Sequence, residues 1–238
     1  MGPTTRPSPS GALQAAGSTL RAGPHVASLE RVPVDLEEPT VSVSVPAPVP
    51  APRVLADSIA RSRAFDVAVV SAGSLFIGIA AQLSIHLPNN PVPITGQTFA
   101  VLLVAAGTGL WRGIASTLLY AVLGLVGVPW FAGASSGYVA ATFGYILGFV
   151  AAAAIVGWLA QRGWTRSPWR TAAAMVIGNV AIYAIGVPWL KATLDLTWAK
   201  AVSLGLQPFL VADLLKAALA AGLFTAAWAL VDRRRRSA

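Results

Sequence analysis

Residues 208–231 read PFLVADLLKAALAAGLFTAAWALV, a run that is apolar apart from Asp213, Lys216 and Thr225. As a helix rising about 1.5 Å per residue it covers about 36 Å, enough to cross a hydrocarbon core of about 30 Å. Pro208 suits the first turn, where its missing N–H costs nothing, and Asp213 then lies roughly 8 Å along the axis. Asp213 and Lys216 are spaced i, i+3 and share one helix face. A charge near the bilayer centre costs several kcal/mol unless it is paired or faces a cavity. The two residues therefore form either an internal ion pair or two separate contacts to a bound ligand.

Working outward, five more apolar runs recur between short polar or Pro/Gly breaks, at residues 66–86, 98–110, 113–128, 142–161 and 171–190. The whole chain of 238 residues is 55% hydrophobic and only 11% charged, with a mean hydropathy of +0.67. The expected class is an all-α integral membrane protein with six transmembrane helices. The second run is short, about 20 Å as a helix, so it tilts little, starts inside the preceding loop, or fails to span fully. Basic residues set the orientation, because Lys and Arg accumulate in short cytoplasmic loops. Arg53, Arg61 and Arg63 precede the first span, Arg112 separates the second and third, Arg162, Arg166 and Arg170 separate the fourth and fifth, and Arg233–Arg236 follow the sixth. All fall on one side of a six-span arrangement, so both termini are expected in the cytoplasm. Most of the tryptophans lie near span ends, where they anchor at the interface.

Residues 1–57 hold ten of the seventeen prolines and no apolar periodicity, and they read as a disordered, Pro-rich cytoplasmic extension to a transmembrane domain over residues 58–238. Pro3, Pro7 and Pro9 interrupt any secretory signal, so the extension is expected to be retained. The formal net charge of +8 is mostly topology-setting arginine, which argues for lipid headgroups rather than nucleic acid as the anionic partner. With no cysteine, and His25 and His86 far apart, no metal or redox cofactor is expected. Phosphate-loop, zinc-protease, nucleophile-elbow and kinase motifs are absent, so the chain is not expected to be an enzyme or to hydrolyse ATP itself.

Few side chains within the spans carry polarity. The candidates besides Asp213 and Lys216 are Gln97, Tyr145, Asn179 and Tyr183; the last two, at i, i+4, are placed to satisfy each other. Tyr120 reads as a packing residue with a tied hydroxyl. Two small-residue patterns permit close helix approach. Ala64, Ala68 and Ala72, extended by Gly73, form one, and Gly144 with Gly148 the other. Spacing alone favours internal packing for the alanines, with docking of another membrane subunit as the alternative.

Four stretches, NPVPITGQTFAVLL, GLVGVPWFAGASSG, FGYILGF and GLQPFLVADLLKAAL, occur in this order, and in combination they resemble the BioY family, biotin-specific S components of energy-coupling factor transporters. The resemblance covers about residues 64–232. It implies six membrane helices and an outer pocket for biotin, closed by the loop between the first two helices, here about residues 87–97. It also implies partner subunits, a transmembrane T subunit and ATP-binding-cassette ATPases that tilt the loaded S component within the membrane. Asp213 and Lys216 match the family's Asp-x-x-Lys, and Gln97 matches the glutamine at the start of its second helix. The chain departs from the family pattern at Val211-Ala212 and at Gly96. Biotin suits such a site: Lys216 offers a cation to its carboxylate, Asp213 an acceptor for ureido N–H groups, and Gln97 or Asn179 an amide for the ureido carbonyl. Phe131, Phe143 and Tyr145 are available as an aromatic wall. The resemblance turns the alanine ladder toward docking on the T subunit. Other readings are an S component for another vitamin, a solitary biotin transporter, and an intramembrane enzyme using Asp213 and Lys216.

Overall fold

The computed structural model describes residues 53–59 and 62–237; residues 1–52 of the extension expected over 1–57, and residues 60 and 61, lie outside them. Seven helices follow in order: α1 (Arg63–Gln82), α2 (Gln97–Thr108), α3 (Leu110–Leu125), α4 (Phe143–Gln161), α5 (Pro168–Thr193), α6 (Trp198–Gly205) and α7 (Leu210–Arg236). A two-stranded antiparallel hairpin, β1 (Ser84–Ile85) and β2 (Ile94–Thr95), joins α1 to α2. Each of the six apolar runs has a helix, and α6 is an addition that the sequence reading left inside a loop.

Local chemistry explains the ends. Ser62 caps α1, its Oγ accepting from the Phe65 N–H at 3.1 Å, and Pro168 opens α5, where a missing donor is harmless. Thr197 caps α6 by accepting from the Lys200 N–H at 3.3 Å. Between α2 and α3 the chain reverses at Gly109 alone, with φ +88° and ψ −175°, a conformation that side-chain-bearing residues avoid.

Among the described residues, four apolar helical stretches are long enough to cross a membrane: α1, α4, α5 and the α6–α7 segment Trp198–Arg236. The helices α2, of 12 residues, and α3, of 16, are apolar but shorter, about 18 and 24 Å. The chain is a multi-pass membrane protein.

At the centre lies α4, mostly buried, with Leu147, Ile155 and Trp158 exposed along one strip; it is apolar all round, so its sequence shows no preferred face. Its Gly144 and Gly148 make internal contacts. A Cβ on Gly148 would stand 2.8 Å from the Ile182 carbonyl oxygen of α5, so the two backbones touch where only hydrogen fits. The small residues of α1 divide differently. Gly73, Ser74, Gly78, Ala80 and Ala81 are buried, whereas Ala64, Ala68 and Ala72 are all exposed on the opposite face. Gly73, joined to the ladder by spacing, faces the other way.

One end of the bundle is held by ions. Arg112 at the start of α3 donates from Nε to Asp66 at 2.8 Å and from a terminal nitrogen to Asp57 at 2.9 Å. Val54, 1% exposed, and Ala56 pack with Ala160 and Phe65. Residues 53–57, grouped with the extension on composition, thus include side chains buried against the helices. Nearby, the Arg166 guanidinium lies 3.8 Å over the Trp228 ring and 3.7 Å from Asp232.

Candidate functional site: a cavity at the opposite end

The other end of the bundle opens into a cavity of about 190 Å³. Two connections at that end, together with α2, α4 and the start of α7, line it. The β1–β2 hairpin supplies His86, Pro91, Val92, Pro93 and Thr95; the α3–α4 loop supplies Phe131 and Ser135; α4 supplies Tyr145 and Phe149; α7 and its lead-in supply Lys216 and Phe209.

The polar centre is the Lys216 ammonium. It donates to the Thr98 hydroxyl at 2.8 Å, the Thr95 carbonyl at 3.0 Å and Asp213 Oδ1 at 3.2 Å. Asp213, 5% exposed, accepts on its second oxygen from the Tyr183 hydroxyl. Both charges are therefore compensated, as their burial requires. Asp213 does not itself line the cavity; it stands behind Lys216.

Gln97 lines the cavity from the first turn of α2 with its amide engaged at both ends. Its Nε2 donates to Tyr120, and its Oε1 accepts from the Thr95 hydroxyl at 3.0 Å. Tyr120 is fully buried against Trp130 and Phe131. Tyr145 presents its ring to the cavity while its hydroxyl donates to the Gly205 carbonyl at 2.9 Å.

Asn179 is brought near but not in. It is 8% exposed and outside the cavity wall, in a cleft that Thr98 and Lys216 also border. Its Oδ1 has no hydrogen-bond partner. The expected Asn179–Tyr183 pairing is replaced by Tyr183–Asp213, because an ionised acceptor forms the stronger bond. Of the expected aromatic wall, Phe131 and Tyr145 are in place; Phe143 packs outside against Tyr138 and Trp189. Phe149 and Phe209 complete the wall. Phe149 stands one turn after Tyr145, a spacing that marks a shared face. Thr95 and Thr98 flank Gln97 in sequence, but only the fold shows Lys216 between them.

The α3–α4 loop owes its shape to Gln82. The amide of Gln82 donates to the Trp130 and Phe131 carbonyls at 2.9 and 3.2 Å, and its oxygen accepts from the Ala134 N–H at 3.1 Å. This sets Phe131 and Ser135 at the cavity. At the hairpin's end, a Cβ on Gly96 would stand 2.7 Å from the Ala80 carbonyl, so the loop approaches α1 where a larger residue would not fit.

An apolar cavity with one charged centre inside a helical membrane bundle is suited to a small amphipathic organic anion. Comparison with known proteins gives the same direction. Residues 54–233 match the model of the BioY family. The biotin transporter BioY2 of Lactococcus lactis is 33% identical over 162 residues, spanning 67% of this chain and 87% of that protein. The biotin transporter BioY of Thermotoga maritima is 36% identical over 156 residues, spanning 64% and 90%. In fold, the chain is similar to the crystal structure of the S-component for biotin from an ECF-type ABC transporter, with a TM-score of 0.62 at 20% identity over 70% of this chain and 93% of that one. The match covers the cavity and nearly all of the helices that build it, which places the protein among transporters rather than enzymes: the chain belongs to the BioY family.

Proposed function

We propose that this protein takes up biotin as the substrate-binding S component of an energy-coupling factor transporter, capturing the vitamin at the cavity end of the bundle. In this reading six helices cross the membrane. The arginine-rich end, with both termini, faces the cytoplasm, and the cavity faces outward. The observation that carries the proposal is a lysine held by Asp213 at the wall of an otherwise mainly apolar cavity, in a chain of the BioY family.

Lys216 is the anchor for the biotin carboxylate. The Thr98 hydroxyl, free to rotate, yields one ammonium donor to the incoming anion, while Asp213 keeps the lysine aimed. Phe131, Tyr145, Phe149 and Phe209 offer apolar surface to the fused rings, with Gln97 at the edge of the ureido group. Asp213 and Asn179 belong to the second layer, within reach of the ureido ring only after a small rearrangement.

The exposed Ala64–Ala68–Ala72 stripe supports docking on a T subunit, since none of it is consumed by packing within this chain. Such a partner, with its ATPases, supplies the energy, and biotin undergoes no covalent change.

The test is equilibrium binding of labelled biotin to the detergent-purified protein beside Lys216→Ala and Asp213→Asn. Tight binding by the wild type and at least tenfold weaker binding by Lys216→Ala, in folded protein, is the expected result. Wild-type protein that binds another vitamin and not biotin would overturn the substrate assignment; unchanged affinity in Lys216→Ala would overturn Lys216 as the anchor.

A further inference from the structure

The last two residues of α6 carry two bonds that join parts of the molecule far apart in sequence. The Leu204 carbonyl accepts from the Asn90 side-chain amide at 3.0 Å, and the next carbonyl, Gly205, accepts from the Tyr145 hydroxyl at 2.9 Å. Asn90 lies at the tip of the hairpin loop over the cavity, and its own Oδ1 accepts from the Val92 N–H at 2.9 Å. The preceding Asn89 takes φ +59°, a left-handed turn that asparagine tolerates. One asparagine thus shapes the loop through its oxygen and fastens it to α6 through its nitrogen. Val92, buried at 6% exposure, and Pro91 line the cavity. Tyr145 lines it from α4.

We infer that Asn90 is the positioning residue that fastens the hairpin loop shut on α6, and that the paired carbonyls of Leu204 and Gly205 make loop closure depend on the seating of Tyr145 against the cavity. A ligand that presses on the Tyr145 ring acts on the same helix end that holds the loop, so occupancy and closure favour each other. Apart from the hairpin's base, held by the Gly96 N–H to the Leu83 carbonyl at 3.0 Å and by Lys216 at Thr95, among the described residues the loop tip is fastened to α6 by this one side-chain bond. The inference rests on the cavity being the ligand site; it does not require the ligand to be biotin.

The chain contains no cysteine, so a single thiol reports loop opening without a background. In the full chain carrying Val92→Cys, the rate of labelling by a membrane-impermeant maleimide is measured with and without Asn90→Asp. The aspartate keeps the acceptor for the Val92 N–H, removes the donor to Leu204 and sets a negative charge against that carbonyl, so both changes act to release the loop. Loss of one ordinary hydrogen bond shifts a local opening equilibrium by about fivefold, and that acceleration is the expected result. Tyr145→Phe should accelerate labelling as well, with the double variant little faster than either single one. Ser135→Cys, on the facing loop, is the second reporter should Val92→Cys fold poorly. Labelling at the wild-type rate in Asn90→Asp would overturn the latch. Strictly multiplicative rates in the double variant would overturn its coupling to Tyr145. Saturating biotin should slow labelling of the otherwise wild-type reporter. If biotin does not bind, the two loop measurements still decide the latch, and only the substrate assignment falls.

Discussion

Each of the three protons on the Lys216 ammonium has an acceptor, and the acceptors come from three chain positions: Thr95, Thr98 and Asp213. A compact, rotatable ammonium fits that tripod; the planar fork of arginine does not. Tyr183 supports the arrangement from behind, since it is the second donor to Asp213. Tyr183→Phe removes a hydrogen bond to a buried charge and should lower stability by about 2 kcal/mol. Biotin affinity should fall by less than in Lys216→Ala. Thermal unfolding with and without biotin measures both effects, and an unchanged melting temperature would count against the bond. The Asp213–Lys216 pair was legible because a three-residue spacing puts both on one helix face. Its partner was not: Tyr183 is thirty residues away, and local spacing pointed it at Asn179 instead. Sequence periodicity locates neighbours on one helix, while competition among acceptors on different helices is settled by their charge.

The same limit appears at the scale of elements. Two small-residue patterns, indistinguishable as strings, have opposite positions: the α4 glycines lie against α5, and the α1 alanines face outward. The pattern announces that something approaches closely but not which chain supplies it. Gly148→Leu should therefore prevent normal assembly, because the atom in its way belongs to backbone, and the expected readout is loss of a monodisperse peak in size-exclusion chromatography. Ala68→Trp meets nothing within this chain and should leave biotin binding intact while abolishing uptake in a reconstituted complex. Retained uptake would remove the stripe from the docking surface. Span positions were readable from apolar runs to within a few residues. The short α6 was not, since Lys191, Asp195 and Lys200 break the hydropathy around it; its Thr197 cap was the available signal.

For the whole molecule, charge distribution carried the most information. The arginines of residues 53, 112, 162, 166 and 170 and of the C-terminal run all lie at the end away from the cavity, as loop asymmetry predicts for one side of a membrane. Composition alone could not reveal that Arg112 also joins Asp57 to α1, or that Val54 is buried beneath it. The useful boundary for truncation thus falls ahead of Arg53. Removal of residues 1–52 should leave melting temperature and biotin affinity unchanged, whereas removal of residues 1–59, which takes Val54, Ala56 and Asp57 with it, should lower the melting temperature by several degrees. Equal stability of the two truncated forms would show that the buried segment contributes nothing.

The shortness of α2 bears on the surrounding lipid. A helix of 12 residues leaves a deficit of about 12 Å against an average hydrocarbon core. Seven of its residues, including Gln97 and Val101, are buried, so the protein shields most of this helix from acyl chains. Its other five residues are half-buried and none is exposed. In a six-span arrangement the shortfall of α2 is therefore met by its protein neighbours and not by the bilayer, and the cavity should keep its affinity in lipids of different acyl length.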